Sequence, residues 1–344
     1  VNKDSMSPRE RFEAFLTGKT IDRFLCVPLI LNHAARVMGV KIGDYNRNGR
    51  LMGDCHAAAW KRYRHDLIAI FSDTAILAEA MGTRLKFRAD DVPTIDIPAV
   101  TDPSDRSRLT RPSMGSARLP VHLEAIRTAV AEVGDQVPVS CCFSAPFTTA
   151  ACLRGPDQFA RDLIKRRELA HELLRLALEV GKQFTDAVAD SGGIPVIVDP
   201  VATGSVLGEN QFREFALPYL KEQMAHIVRR GFPAVLHICG KTSRILQPML
   251  ETGSAVLSLD DISMDEARER VSDKAVLMGN VRPVATLLQG TPSDVENEVR
   301  DLCAIGRRCK AGFILGSGCE VPIASPPANV EAMMNAVRTY GSMN

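Results

Sequence analysis

Short, unbroken apolar runs recur eight times along the chain, separated by stretches with helical spacing. The runs are FLCVPLIL (24–31), LIAIFSD (67–73), VPVSCCFSAP (137–146), PVIVDP (195–200), PAVLHICG (233–240), AVLSLDD (255–261), AVLMGNV (275–281) and GFILGSG (312–318). Continuous rather than alternating hydrophobicity belongs to strands covered on both faces. Strands alternating with helices imply a parallel sheet with right-handed crossovers. Eight such units predict an α/β fold, a (β/α)8 TIM barrel forming one domain over residues 1–344, with 1–23 as an N-terminal helical extension. A doubly wound open sheet is the architectural alternative, but its GxGxxG fingerprint does not follow the first run. Helices are expected over 49–63, 121–133, 155–165, 168–191, 209–230, 242–251, 264–271, 292–309 and 327–340. Near residues 86–120 Pro, Asp, Ser and Arg break the pattern, which predicts an irregular insertion of loops and short extended pieces.

Lys and Arg number 42 against 41 Asp and Glu. No basic field exists to collect phosphates, so nucleic acid is not an expected partner. The opening VNKDSMSPRERFEAFLTGKT has no apolar signal-peptide core, and no apolar run approaches the roughly 18 residues of a membrane span. A cytoplasmic location is expected, and with it free thiols at most of the nine cysteines.

In a parallel barrel the functional groups sit at the C-terminal ends of the strands. Those ends carry Asn32, His33, Asp73, Ser144, Asp199, His237, Cys239, Asp260, Asp261, Asn280, Cys319 and Glu320. The sharpest feature is His237-Ile238-Cys239, because residues i and i+2 of a strand point the same way. Alone, His-x-Cys is a weak signal, and a hydrogen-bonded core histidine is the ordinary alternative. Cys319 strengthens it, since barrel closure brings distant strand ends to one rim. One imidazole and two thiolates suit zinc and leave a fourth position open, the catalytic rather than the structural pattern. Cys141 and Cys142 are adjacent, so one of them at most faces the interior. His65, His122, His171 and His226 fall on expected helices or their edges and are expected at the surface.

Five segments carry a resemblance: SPRERFEAFLTGKTIDR, DPVATGSVLGENQFREFALPYLK, HICGKTSRILQPMLETG, MGNVRPVATLLQGTP and GFILGSGCEVPIASPPANVEAMMNAVRTYG. Together they resemble the uroporphyrinogen decarboxylase superfamily, most closely its corrinoid-linked branch of methylcobamide:coenzyme M methyltransferases and related bacterial methyltransferases. The resemblance implies the (β/α)8 barrel, a metal motif falling on His237, Cys239 and Cys319, and methyl transfer between a corrinoid and a thiol such as coenzyme M through a zinc-bound thiolate. Asp260, by the family's pattern at that strand end, or Glu320 is the candidate fourth ligand. Asn32, His33, Asp199 and Asn280 are candidates for holding substrate or supporting the metal ligands. The sequence lacks the DxHxxG motif of corrinoid-binding domains, so methylcobalamin or another corrinoid would arrive free or on a separate corrinoid protein. The arginine-rich RQAGRY-type motif of the decarboxylase branch is replaced by LILNHAARVMGV, which keeps only Arg36. A metal-free decarboxylase is the runner-up. Transfer from a methylated small molecule to a cobalt(I) corrinoid would use the same residues, and the oligomeric state is left open.

Overall fold

A computed structural model describes residues 4–343; residues 1–3 of the expected N-terminal extension lie outside the described residues. Ten strands are present among them: β1 Cys26–Leu29, β2 Ile68–Ile70, β3 Arg84–Lys86, β4 Thr94–Ile97, β5 Val139–Ser144, β6 Ile194–Val198, β7 Val235–Lys241, β8 Val256–Asp261, β9 Val276–Val281 and β10 Phe313–Glu320. Eight of them form one parallel sheet in the order β1-β10-β9-β8-β7-β6-β5-β2. Each of the eight apolar runs supplies one of these strands. The seam between β1 and β2 has no ladder. There the Asp66 backbone N–H donates to Cys26 O (2.9 Å), the Cys26 N–H donates to the Asp66 carboxylate (2.6 Å), and Asn32 Nδ2 donates to Ser72 O (2.8 Å). The result is a nearly closed (β/α)8 barrel.

Alternation along each strand divides the core in two. Leu25, Val27, Leu29, Ala69, Cys142, Val196, Val256, Met278 and Ile314 form the inner cluster, while Cys26, Ile68, Cys141, Leu257 and Phe313 pack outward against the helices. Cys142 is therefore the inward member of the adjacent cysteine pair.

The N-terminal helix Pro8–Leu16 is capped by Ser7 and Glu10. It crosses the N-terminal end of the barrel and buries Arg11, which pairs with Asp66 (2.6 Å) and Asp22 (2.6 Å). In the region expected to be irregular, β3 and β4 make an exposed antiparallel hairpin and Pro103–Arg108 makes a 3-10 turn.

The expected helix 242–251 is a 3-10 turn, Ser243–Ile245, followed by Leu246–Leu250, short helices His33–Val37, Ile42–Tyr45 and Ile76–Ala80 lie outside the expected ones, and two longer segments also need correction. The stretch 209–230 divides into Glu209–Phe215 and Leu217–Arg229. Pro218 lacks an N–H, and its ring would meet the carbonyl four residues back in a continuous helix. The helix Pro146–Arg154 was not expected; Pro146 opens it, and Gly155, with φ +83°, ends it. No helix among the described residues is long and apolar enough to cross a membrane.

Candidate metal centre

His237 and Cys239 follow Val235 on the inward face of β7, so regular alternation alone directs both side chains to the barrel axis. Cys319 arrives differently. With Ile314 inward and Phe313 and Leu315 outward, unbroken alternation would turn Cys319 outward. The β1–β10 register slips, however: Val27 faces Gly316 and Leu29 faces Glu320. Two extra residues on β10 interrupt the regular pairing ahead of Cys319, and Cys319 borders the interior beside His237 and Cys239. A second irregularity follows Cys239, where the β7–β8 pairing passes from Ile238–Leu259 to Lys241–Asp261. Gly240 takes φ +69° there, and its N–H donates to Asp260 Oδ2 at 2.7 Å.

The imidazole and the two thiols converge, with all three ligating atoms within 4.8 Å of one another. His237 Nε2 is 3.2 Å from Cys239 Sγ, and the two sulfurs are 3.2 Å apart. His237 Nδ1 lies 3.0 Å from Ser258 Oγ. A zinc ion bound through Nε2 would leave the proton on Nδ1, where Ser258 Oγ is placed to accept it, as metal-ligating histidines generally require of a neighbour. The hydrogen bond from Cys239 and the nearby His237 push the Cys319 thiol down to about 4. The same sulfur–sulfur hydrogen bond, with burial second, pushes Cys239 up. The opposite shifts arise from the one hydrogen bond shared by the two sulfurs. A divalent ion would supply the charge needed to release both thiol protons, and the donor set is one that zinc takes.

The carboxylates expected near the site are held by other partners. Asp260 accepts from Gly240, and burial raises its pKa. Glu320 accepts from the Asn32 backbone N–H (3.0 Å) and from Asn32 Nδ2 (2.9 Å); burial pushes it up to about 7, with those bonds opposing. Neither belongs to the three-residue ligand cluster. Asn280 Nδ2 donates to Asp260 O (2.9 Å) and Ile262 O (2.7 Å), which fixes the rim end of β8. Asp199 is fully buried, and its Oδ1 accepts from the N–H and Oγ1 of Thr148; burial pushes it up to about 7. His33 is fully buried between Tyr63 Oη (2.9 Å) and Ile323 O (3.1 Å). Both its nitrogens are occupied, and it supports the rim rather than facing the cluster.

Sequence reasoning passed over Ser258, although it lies two residues before Asp260 on an inward face. It also placed His65 and His122 at the surface, where the structure buries them. His122 Nε2 meets Ser72 Oγ at 2.9 Å, and Ser72 neighbours the Asp73–Arg118 ion pair (2.7 Å). These contacts form a buried polar layer that helical spacing does not reveal.

The family model described as uroporphyrinogen decarboxylase (URO-D) matches residues 7–340. The chain is 26% identical over 342 residues to a methylcobamide:CoM methyltransferase of Methanosarcina acetivorans, covering 97% of this chain and 98% of that protein. It is 25% identical over 339 residues to a methylated-thiol–coenzyme M methyltransferase of Methanosarcina mazei, covering 97% and 89%. To the uroporphyrinogen decarboxylase of Bordetella pertussis it is 30% identical over 292 residues, covering 81% and 79%. Among solved structures, a methyltransferase from Methanosarcina mazei superposes with a TM-score of 0.88 at 25% identity, over 98% of this chain and 99% of that one.

Proposed function

We propose that this chain, which belongs to the uroporphyrinogen decarboxylase family, is a methyltransferase that moves a methyl group between a corrinoid and a thiol, using zinc held by His237, Cys239 and Cys319. The observation that carries the proposal is the convergence of one imidazole and two thiols at the open end of the barrel. Near-full-length similarity to proteins named as corrinoid:coenzyme M methyltransferases supports it. Bound there, zinc would lower the pKa of an incoming thiol and present its sulfur as the nucleophile. In the transfer, the thiol would lose its proton to solvent on binding zinc, and its sulfur would then bond to the methyl carbon. The carbon–cobalt bond breaks with its electron pair left on the metal, taking cobalt(III) to cobalt(I). A corrinoid held on a separate protein would approach at the rim.

The chain's own residues orient the ligands. Ser258 fixes the His237 tautomer, Gly240 turns the β7 end toward Asp260, and Asn32 holds Glu320 beside Cys319. Gly318 leaves the space these groups need, because a Cβ there would stand 2.8 Å from Asp260 Oδ1.

The decarboxylase relatives favour a second reading, metal-free decarboxylation of a polycarboxylate. It requires cations for the substrate's carboxylates. The buried Arg118 is already bound to Asp73 and Glu79, and among the described residues no Lys or Arg lines the cavity under the ligand cluster. Metal analysis of the purified protein, with methylcobalamin demethylation followed by the cobalt spectrum, separates the two readings. About one zinc per chain is expected, lost in Cys239→Ala and in Cys319→Ala along with demethylation. Full zinc retention in both variants, or decarboxylation that survives chelation, would overturn the proposal.

A further inference from the structure

Two cavities meet at the ligand cluster. The inner one, about 200 Å³, runs down the inside of the barrel from His237, Cys239 and Cys319 to Phe12 and Phe15 of the N-terminal helix. Its wall includes Val27, Ala69, Val196, Val235, Val256 and Met278. Barrels of this kind normally fill their axis with layers of side chains; here alanine and valine on the inward face leave it open. The outer cavity, about 660 Å³, lies at the rim, where Asp260, Asn280, Arg282, Glu298, Cys319 and Glu320 border it. All three ligating residues border the inner cavity, and Cys319 alone of them borders the outer one.

We propose that the thiol serving this site carries an apolar tail, and that the tail lies along the barrel axis between the ligand cluster and the N-terminal helix. This inference rests on the methyl-transfer reading and names its thiol class. An apolar cavity of this size stays dry and accepts apolar guests. An anionic tail, such as the sulfonate of coenzyme M, would find no cation inside among the described residues and would meet Glu320 at the mouth. Its one cationic partner would be Arg282, across the outer cavity. Burial of each added methylene stabilises by about 0.8 kcal/mol, or about fourfold in affinity, until the tail reaches Phe12 and Phe15.

The test uses the full chain with cobalt(II) in place of zinc, and reads thiol binding from the sulfur-to-cobalt absorption band. Ethanethiol, 1-butanethiol, 1-hexanethiol and 2-sulfanylethanesulfonate are the probes. Affinity is expected to rise about fourfold per methylene from ethanethiol to 1-butanethiol, with the sulfonate weakest. Ala69→Phe should abolish the rise, and Ala69→Leu should blunt it if the larger side chain prevents folding. Equal affinities across the alkyl series, or tightest binding of the sulfonate with loss in Arg282→Ala, overturn the inference. Methylcobalamin demethylation in the same mixtures distinguishes the two claims. A tail preference without turnover keeps the apolar chamber and sinks methyl transfer; turnover without a tail preference does the reverse. A chain that takes up no cobalt overturns both.

Discussion

Ser258 decides which nitrogen of His237 faces the sulfurs. Its hydroxyl occupies Nδ1 at 3.0 Å and leaves Nε2 directed at Cys239. Losing such a partner frees the ring to rotate and lowers its basicity, which typically costs roughly 10- to 100-fold in metal affinity. Ser258→Ala is therefore expected to bind zinc that much more weakly in a chelator competition while keeping its circular dichroism and melting behaviour. Unchanged affinity would show that Ser258 only fills space. At this scale the sequence was legible where backbone periodicity alone aims the side chain. His237 and Cys239 share a face by alternation, and that part needs no tertiary information. Cys319 joins them where the β1–β10 pairing becomes irregular, and no residue pattern announces that irregularity. Ser258 and Asn32 act through strands distant in sequence, so their contacts with His237 and Glu320 could be known only from the folded barrel.

Asp66 does at the level of elements what Ser258 does for one ring. It joins β1 to β2 across the seam that lacks a ladder, and it receives Arg11 (2.6 Å) from the N-terminal helix and Arg23 (2.7 Å). Asp66 and Arg11 are fully buried and Arg23 nearly so, so removing the carboxylate takes one buried partner from each guanidinium, leaving Arg11 to Asp22 and Arg23 to Asp4, and deprives the Cys26 N–H of its acceptor. Breaking a buried pair by deleting one partner costs about 3–5 kcal/mol. Asp66→Ala is expected to lose at least that much in urea unfolding, and a loss below about 1 kcal/mol would contradict the assigned role. This network also seats Phe12 and Phe15 at the foot of the inner cavity, so the helix that looks peripheral in sequence closes the chamber. The barrel strands were legible because both faces of each are buried, which leaves an unbroken apolar signature. The helix break at Ala216 was marked by Pro218, but helical periodicity continues through it and conceals the break. Pro146–Arg154 was hidden because its buried residues extend the apolar run of β5 without a change of composition.

Across the whole molecule, buried ionisable groups set opposing pH dependences. Burial, reinforced by neighbouring positive groups at His56 and His122, pushes His56 and His65 down to about 3 and His122 down to about 4. The unfolded chain binds protons at these histidines as pH falls below their ordinary value, and the folded chain does not. Each then costs about 1.4 kcal/mol of stability per pH unit. Asp199 and Glu320 act in the opposite sense, because burial raises both to about 7. Between their ordinary values and 7 the folded state keeps protons that the unfolded state has released, so these two groups gain stability as pH falls. In the metal-free protein the two sets oppose each other between roughly pH 4.5 and 6.5. Shifts at His33, Asp260 and Glu79 follow the same two directions. Below about pH 4 the raised carboxylates are protonated in both states and their offset ends. There Asp4 and Asp22 join the histidines: burial would raise them, but Arg23 and Arg11 hold them below the usual carboxylate range, and that stabilisation disappears as they protonate. A domain stability of about 5–15 kcal/mol should therefore fall most steeply below about pH 4, where the raised carboxylates no longer oppose the loss. Asp199→Asn separates the terms. It removes a carboxyl that burial keeps protonated up to about pH 7 and keeps an oxygen to accept from Thr148. The variant should be more stable than the parent at pH 7 by on the order of 4 kcal/mol, equal to it at pH 4, and unchanged in its acid midpoint. Urea unfolding of both metal-free proteins from pH 3 to 8 tests this, and a gain that persists at pH 4 would show that the effect comes from packing rather than from the carboxylate's proton.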